Sequence, residues 1–322
     1  MKKDKKGISR RNFTQLSAAA LGSIPLMGFD KSLLNTRPNP NDDIKVNLFS
    51  KHLQFLDYNE MSEAAADMGF DGLDLTVRPK GHVLPERAAE DLPKVISTMK
   101  KFGLLPTMMT TNITEANDPQ SRQVLETASA LGLTHYRTGW LTYPEEKTIQ
   151  QTIEVHAQKL AALEVLNKKL GLYGGYQNHA GNHVGAPIWD IPQILKNTSS
   201  LHMGCQYDIR HAVVEGGSSW QLGLRLVHSY ISSIDIKDFK WGQKDGKWQP
   251  INVPLGEGMV DFDSYFKLLK KYKINVPVSL HLEYDLGGAE HGGSKITIDK
   301  KEVFAQMKKD LTFLKNAWQQ AE

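Results

Sequence analysis

The sequence has a single cysteine and lacks the short motifs of two common enzyme classes. Cys205 is the one cysteine among 322 residues, so no disulfide can form within the chain and no cysteine-rich metal site can be built. Because Cys205 lies inside an apolar run, we expect it to fill the core. No Gly-x-Ser-x-Gly occurs, which excludes the nucleophile elbow of an α/β-hydrolase. No Gly-x-Gly-x-x-Gly follows the first predicted strand, which disfavours a dinucleotide-binding fold.

The first 30 residues have the composition of a targeting segment. Four lysines precede Ser9-Arg10-Arg11-Asn12-Phe13, and a mildly apolar stretch follows over residues 16–29. This order resembles a twin-arginine export signal over residues 1–30, which implies a periplasmic protein exported after folding; a disordered basic tail is the alternative. The apolar stretch falls short of the ~20 residues that span a bilayer, so we expect no stable membrane insertion. Residues 31–43 predict a linker.

The chain has no basic excess once this segment is set aside. Cutting after residue 29 removes six of 39 basic residues and one of 36 acidic residues, which leaves 33 basic against 35 acidic. The net charge of +3 therefore comes from the N-terminal segment. Without a basic surface the main electrostatic source of nucleic-acid affinity is missing, so we expect no nucleic-acid partner.

From residue 44 the chain alternates short apolar runs with amphipathic stretches, eight times over. This alternation predicts one (β/α)8 TIM barrel spanning residues 44–322, with a doubly wound open sheet as the alternative. The predicted strands are 45–49, 72–77, 105–109, 135–138, 171–176, 203–207, 230–234 and 276–280. The predicted helices are 60–68, 88–102, 121–131, 149–170, 191–197, 220–227, 261–272 and 301–318. Glycines directly after four helices predict left-handed caps, at Gly69, Gly103, Gly132 and Gly171.

Four strands of the second half end in side chains that bind metals or move protons. In chain order these side chains are Gln177 with His179, Asp208 with His211, Asp235 with Lys237, and His281 with Glu283. Because the C-terminal ends of barrel strands meet on one face, we expect these side chains to converge. Oxygen and imidazole ligands without thiolate suit Mn, Co, Mg or Zn. A single residue of this kind more often caps a loop, so the prediction depends on the recurrence.

Cationic, imidazole and aromatic side chains follow other strands and predict a substrate rim. His52, Arg78 and His82 lie just past the first two strands, and Trp241 lies beyond the seventh. Such groups suit sugar hydroxyls, an enolate oxygen or the apolar face of a pyranose, although solvation or core packing explains each one nearly as well. The glycine-rich stretch 286–293 is a candidate lid.

Residues 44–318 resemble the xylose-isomerase-like sugar phosphate isomerase/epimerase superfamily. The resemblance is carried by Asp208-Ile209-Arg210-His211, similar to its Asp-x-x-His; by Ile236-Lys237-Asp238, similar to the end of its His-x-Lys-Asp; by Gly256 to Phe262, similar to its Gly-x-Gly-x-Val-Asp-Phe; and by Glu283, at its eighth-strand glutamate. There are two departures. Gln177 stands where the superfamily has a metal-binding Glu, and Asp235 stands where it has a His.

The resemblance implies a metal-dependent enzyme that removes a proton next to a sugar carbonyl, as an isomerase or epimerase. The implied metal set is Gln177 (or His179), Asp208, Asp235 and Glu283. The implied catalytic candidates are Glu283, His179, His281 and Lys237, and the substrate-binding candidates are His52, Arg78, His82, His211 and Trp241. Losing the fifth-strand Glu makes a lyase or hydratase acting on oxidised sugars such as 3-keto-glycosides an alternative. A catalytically inactive glycan-binding barrel is another. The expected partner is a small carbohydrate, and a homo-oligomer is left open.

Overall fold

The computed structural model describes residues 43–321, so the predicted export signal and nearly all of the predicted linker lie outside the described residues. Within that range eight parallel strands close into a barrel in chain order, and the last strand pairs with the first. The strands are β1 Val46–Phe49, β2 Gly72–Thr76, β3 Leu105–Thr110, β4 His135–Arg137, β5 Tyr173–Gln177, β6 Met203–Asp208, β7 Ile231–Ile236 and β10 Val278–Leu280. The predicted TIM barrel is confirmed.

Helices alternate with the strands and form the outer layer. They are α1 Tyr58–Met68, α2 Ala88–Lys101, α3 Pro119–Ala130, α4 Ile149–Leu170, α5 Asp190–Ile194, α6 Ile209–Gly216, α7 Trp220–Val227, α8 Phe262–Lys271 and α9 Lys300–Gln320. Among the residues from 43 to 321, no helix combines the length and apolarity that crossing a membrane requires.

The helix ends follow from local sequence. The Asp57 carboxylate accepts hydrogen bonds from two N–H groups of the first turn of α1, at 2.9 and 2.8 Å. Thr148 and Gln151 form a capping box at the start of α4. All four glycines predicted as caps have positive φ, between 69° and 92°. Because Gly171 ends α4 in this way, β5 begins at residue 173 rather than at the predicted residue 171.

One α-helix and one β-hairpin were not predicted. Helix α6 begins directly after β6 because the Asp208 carboxylate accepts a hydrogen bond from the His211 N–H, at 3.1 Å. An antiparallel hairpin of β8 Asp238–Lys244 and β9 Lys247–Val253 stands outside the barrel sheet. Its turn residues Asp245 and Gly246 have φ of 54° and 72°. An Asp-Gly pair is a strong hairpin signal, so the sequence did contain this information.

The two faces of the strands differ in polarity. Outward residues such as Leu73 and Leu75 belong to the apolar core between barrel and helices, and Cys205 is buried and free as expected. The barrel interior instead holds buried polar side chains, namely Asn47, Asp74, Thr110, Gln206, Ser233, Asp235 and Ser279. A TIM-barrel interior is usually filled by branched apolar residues. Buried polar groups need partners, so this interior depends on a hydrogen-bond network.

Candidate active site

Lys237 lies at the centre of the barrel mouth, between two carboxylates. Its Nζ is 3.1 Å from Asp208 Oδ2 and 3.3 Å from Glu283 Oε2, and its side chain is 4% exposed. Burial lowers the pKa of Lys237, but the Asp208 and Glu283 carboxylates outweigh burial and raise the pKa overall. The side chain is therefore an ammonium at neutral pH.

The other carboxylate oxygen of Glu283 forms an ion pair with a second ammonium group. Lys51 Nζ lies 3.1 Å from Glu283 Oε1, and the Glu283 side chain is 24% exposed. Burial raises the pKa of Glu283, but Lys237, Lys51 and His281 hold it well below its usual range. Glu283 is thus a stabilised carboxylate at the opening of the barrel. We call Lys51, Gln177, Asp208, Lys237 and Glu283 the mouth cluster.

The orientation of the Gln177 side-chain amide is fixed by two hydrogen-bond donors that contact its oxygen. Its Oε1 accepts hydrogen bonds from Arg137 Nη1 at 2.8 Å and from Trp140 Nε1 at 3.0 Å. Its Nε2 donates to Asp208 Oδ2 at 2.9 Å and to Asp235 Oδ2 at 2.6 Å. A flipped amide would point its NH2 group at two other donors. Gln177 therefore presents N–H groups, and not an oxygen ligand, to the two aspartates.

A second group of ionisable residues lies deeper in the barrel. The potential ligand atoms of Asp74, Asp235 and His281 lie within 4.8 Å of one another, and all three residues are buried. We call these three the deep cluster; its ligand types could hold a divalent metal ion. Burial raises the pKa of Asp74. Burial lowers the pKa of His281, but Asp235 more than compensates and raises it overall.

Hydroxyl and amide donors support the deep cluster. Asp74 accepts hydrogen bonds from Thr110 Oγ1 at 3.0 Å and from Ser279 Oγ at 2.7 Å. Asp235 Oδ1 accepts one from Gln206 Nε2 at 2.6 Å and lies 3.4 Å from His281 Nε2. Burial raises the pKa of Asp235, but His281 and its other neighbours lower it overall. Asp235 thus belongs to the deep cluster and also contacts Gln177 of the mouth cluster.

Two neutral imidazoles form one wall of the mouth. The ring centroids of His179 and His211 are 4.0 Å apart, and Trp140 lies 4.4 Å from His179. Burial, with Lys237 nearby, lowers the pKa of His179 to about 4 and that of His211 well below its usual value. His179 Nδ1 lies 2.8 Å from the Ala180 carbonyl oxygen. This contact requires a proton on Nδ1 and leaves a basic lone pair on Nε2.

Two predicted substrate-binding imidazoles are committed to the protein backbone and to neighbouring hydroxyls. His52 Nε2 accepts from the Leu282 N–H at 3.0 Å, and its Nδ1 lies 3.4 Å from the Ala289 carbonyl oxygen. His82 Nδ1 lies 3.2 Å from Ser50 Oγ, and its Nε2 lies 3.2 Å from the Leu53 carbonyl oxygen. Both nitrogens of each ring have partners within the protein, and the assignment of His52 and His82 to substrate binding stays a prediction.

The other predicted rim residues lie in different settings. The Arg78 guanidinium lies 5.4 Å from the centroid of the Phe49 ring, and burial lowers its pKa to about 10. The Phe49 ring stacks on the His281 ring with their centroids 4.2 Å apart, so the Arg78 guanidinium lies at the end of this stack. Trp241 lies on the hairpin and is 44% exposed.

The stretch 286–293, the candidate lid, is held by hydrogen bonds of its own. Glu290 Oε2 accepts hydrogen bonds from the backbone N–H groups of Leu286 and Gly288.

Sequence reasoning missed several residues that shape the site. Asp74 interrupts the apolar residues of β2, and its inward position could have been read from the two-residue period of that strand. Arg137 ends β4 and so obeys the strand-end rule that located the later residues. Lys51 lies just past β1 and pairs with Glu283. The predicted residues Gln177, Asp208, Asp235, Lys237, His281 and Glu283 all lie in the two clusters.

A family model described as a xylose isomerase-like TIM barrel matches residues 62–316, and no curated protein matches the chain by sequence. The D-allulose 3-epimerase of Methylomonas sp. has a TM-score of 0.63 at 13% identity, covering 85% of this chain and 98% of that chain. A probable 3-DHS dehydratase from Bacillus anthracis has a TM-score of 0.61 at 14% identity, covering 84% and 98%. The 3-keto-D-glucoside 4-epimerase from E. coli has a TM-score of 0.58 at 14% identity, covering 85% and 99%. These structures share the fold. The chain belongs to the xylose isomerase-like TIM barrel family.

Proposed function

We propose that this protein is an isomerase- or epimerase-type enzyme that moves a proton next to the carbonyl of a carbohydrate. One observation carries the proposal: the buried Lys237 ammonium, held by Asp208 and Glu283, shares the barrel mouth with the neutral imidazoles of His179 and His211. Removing a proton beside a carbonyl needs a base and a positive group for the developing enolate oxygen. Both are present. Family membership supports an enzyme of the isomerase, epimerase or lyase type.

The roles of the side chains follow from their protonation states. Lys237 is an ammonium with two of its three N–H donors engaged, so it retains one donor for a substrate oxygen. His179 is neutral because burial lowers its pKa, and its Nε2 is not engaged by the Ala180 carbonyl, so we assign it as the proton acceptor. Glu283 stays ionised, but both of its oxygens are engaged by the Lys237 and Lys51 ammonium groups. Its task is to hold Lys237 and Lys51 in position and to accept hydrogen bonds from sugar hydroxyls.

Metal dependence remains a prediction, and the two clusters differ in how well they fit an ion. The implied set is Gln177 (or His179), Asp208, Asp235 and Glu283. In it the Gln177 amide offers N–H donors, and the Lys237 ammonium contacts the carboxylates of Asp208 and Glu283. That arrangement does not fit a divalent metal. The deep cluster has suitable ligand types, but its burial separates it from the rim. No step of the proposed chemistry passes through a metal.

A second candidate function is elimination from an oxidised sugar, such as a 3-keto-glycoside. The Gln177 amide favours it, because an amide cannot serve as the second carboxylate base of a two-base epimerase. Elimination needs one base beside the carbonyl and a departing group. The same His179 and Lys237 would supply the base and the enolate stabilisation.

Solvent-deuterium incorporation into a panel of keto-sugars and 3-keto-glycosides tests the proposal. An isomerase or epimerase returns a sugar of unchanged composition that carries one deuterium at the carbon next to the carbonyl. A lyase releases the aglycone or water and leaves an unsaturated product of lower mass. Binding of a sugar without exchange or product would refute the proposal and would favour the inactive glycan-binding barrel.

A further inference from the structure

We propose that Lys237 is a built-in cation that takes the place of a divalent metal, and that the mouth cluster binds no such ion. The inference deepens the proposed function and rests on it only for the catalytic use of the ammonium. Whether the mouth binds a metal can be tested without any turnover. The resemblance implied the opposite, a metal held by Asp208 and Glu283.

The first support is that the carboxylates expected to share an ion already share an ammonium. Nζ of Lys237 lies 3.1 Å from Asp208 Oδ2 and 3.3 Å from Glu283 Oε2. Asp208 Oδ2 also accepts a hydrogen bond from Gln177 Nε2 at 2.9 Å, so both of its lone pairs are used. An ion at this point would have to displace the ammonium and then remain close to its positive charge.

The second support is that Gln177, the last residue of the fifth strand, offers no ligand atom. The oxygen of Gln177 is held on the opposite side by Arg137 and Trp140, at 2.8 and 3.0 Å. The group facing Asp208 and Asp235 is an NH2, which a cation cannot bind. Turning the amide around would break both of those hydrogen bonds and both bonds to the aspartates. The neighbours of Gln177 therefore select a donor at the position where a metal site needs an acceptor.

The third support is charge balance. Three acidic groups at and below the mouth, Asp208, Asp235 and Glu283, are faced by at least as many basic side chains, namely Lys51, Lys237, Arg137 and Arg210. Arg137 is buried and interacts electrostatically with all three carboxylates. Asp74 and His281 add one further acidic and one further basic group. Buried charges need partners, and here the protein supplies them itself. A dication would leave this volume with uncompensated positive charge.

The test measures Mn²⁺ binding to the full chain after dialysis against a chelator, by titration with electron paramagnetic resonance of free Mn²⁺. We expect no stoichiometric site in the mouth of the wild-type protein. Lys237→Met keeps the length of the side chain and removes its charge, which frees oxygens of Asp208 and Glu283. We expect this variant to bind one Mn²⁺ at least about tenfold more tightly than wild type. Lys240→Met, at an exposed residue of the hairpin, is the matched control and should leave Mn²⁺ binding unchanged.

One wild-type Mn²⁺ site that Asp208→Asn abolishes would overturn the proposal, and this comparison decides even if Lys237→Met fails to fold. A site lost in Asp74→Asn but kept in Asp208→Asn belongs to the deep cluster and supports a metal-free mouth. Folded Lys237→Met without increased affinity would overturn the claim that Lys237 excludes the ion. A metal-free mouth in a protein that converts no sugar would refute the proposed function alone.

Discussion

The imidazoles around the barrel mouth are of two kinds that look alike in the sequence. His52 and His179 both follow strands, yet His52 has both nitrogens engaged by the backbone whereas His179 keeps a basic nitrogen. The partners of His52 are Leu282 and Ala289, more than 200 residues away in the chain. Sequence reasoning located these side chains correctly near strand ends. It could not assign their roles, because the role depends on distant backbone groups.

At this residue scale, His179→Gln tests the proton acceptor. We expect deuterium exchange into the substrate to fall by roughly 10²- to 10⁴-fold, the usual contribution of a general base. His183→Gln is the matched control, because its ring lies 5.0 Å from that of His179 in the same aromatic group. Exchange in this control should stay close to the wild-type rate. An unchanged rate in His179→Gln would remove His179 from the mechanism.

Asp310 gives a pH dependence that is independent of the active site. It lies on α9, accepts a hydrogen bond from Tyr284 Oη at 3.1 Å, and is buried; burial raises its pKa to about 7. The folded state therefore favours the protonated acid. This contribution to stability is complete below the unfolded pKa of about 4 and is lost as the pH rises to 7.

We therefore expect the free energy of unfolding of wild type to fall by roughly 2–4 kcal/mol more than that of Asp310→Asn between pH 4 and pH 8. Urea unfolding at the two pH values measures the difference. Asp263→Asn, at an exposed residue on α8, should behave like wild type. Equal pH dependence in wild type and Asp310→Asn would contradict the assignment.

At the scale of elements, the alternation of apolar runs and amphipathic stretches predicted every barrel strand and the approximate place of every helix except α6. It missed the hairpin, because β8 and β9 mix polar and apolar residues and contain no continuous apolar run. The hairpin nevertheless positions the segment that follows it in the chain. Asp238, its first residue, accepts hydrogen bonds from the backbone N–H groups of Gly256, Gly258 and Val260, at 3.0, 3.0 and 3.1 Å.

Those hydrogen bonds give a physical reason for the Gly-x-Gly-x-Val-Asp-Phe segment. Gly256 has φ of 81°, and a Cβ on Gly258 would lie 2.2 Å from Asp238 Oδ1 and 2.4 Å from the Phe239 carbonyl oxygen. Glycine at both positions lets the backbone wrap the carboxylate. The motif was identified by resemblance, and its dependence on Asp238 was visible only in the structure.

Gly258→Ala should consequently destabilise the protein by about 2–4 kcal/mol, because the new methyl group clashes with backbone and the loop must leave Asp238. Gly216→Ala is the control, because a Cβ there meets its nearest atom at an ordinary 3.5 Å. Urea denaturation compares the two variants. A loss below about 0.5 kcal/mol in Gly258→Ala would show that the loop adapts without cost.

At the scale of the whole molecule, closure of the barrel is what brings the site together. Asp208, Asp235 and Glu283 are separated by up to 75 residues, yet their strand ends face one volume because the parallel strands close in chain order. The sequence predicted this convergence. The inward position of Asp74 could be read from the strand period, but the sequence does not show that Asp74, Asp235 and His281 meet, because that depends on the register between strands far apart in the chain.

The N-terminal segment makes a prediction about the whole protein. We expect residues 1–42 to direct a folded reporter protein to the periplasm through the twin-arginine route. Replacing Arg10 and Arg11 with lysine should abolish export, because that route recognises the arginine pair. Fractionation of cells that produce the two fusions measures it. Export of both fusions, or of neither, would refute the proposed signal.

A crystal structure grown with Mn²⁺ and measured at the manganese absorption edge tests the central claim most directly. We predict continuous density for the Lys237 side chain between Asp208 and Glu283, with no anomalous peak among these three residues. An anomalous peak about 2.0–2.3 Å from carboxylate oxygens of both Asp208 and Glu283, with the Lys237 ammonium displaced, would contradict the claim.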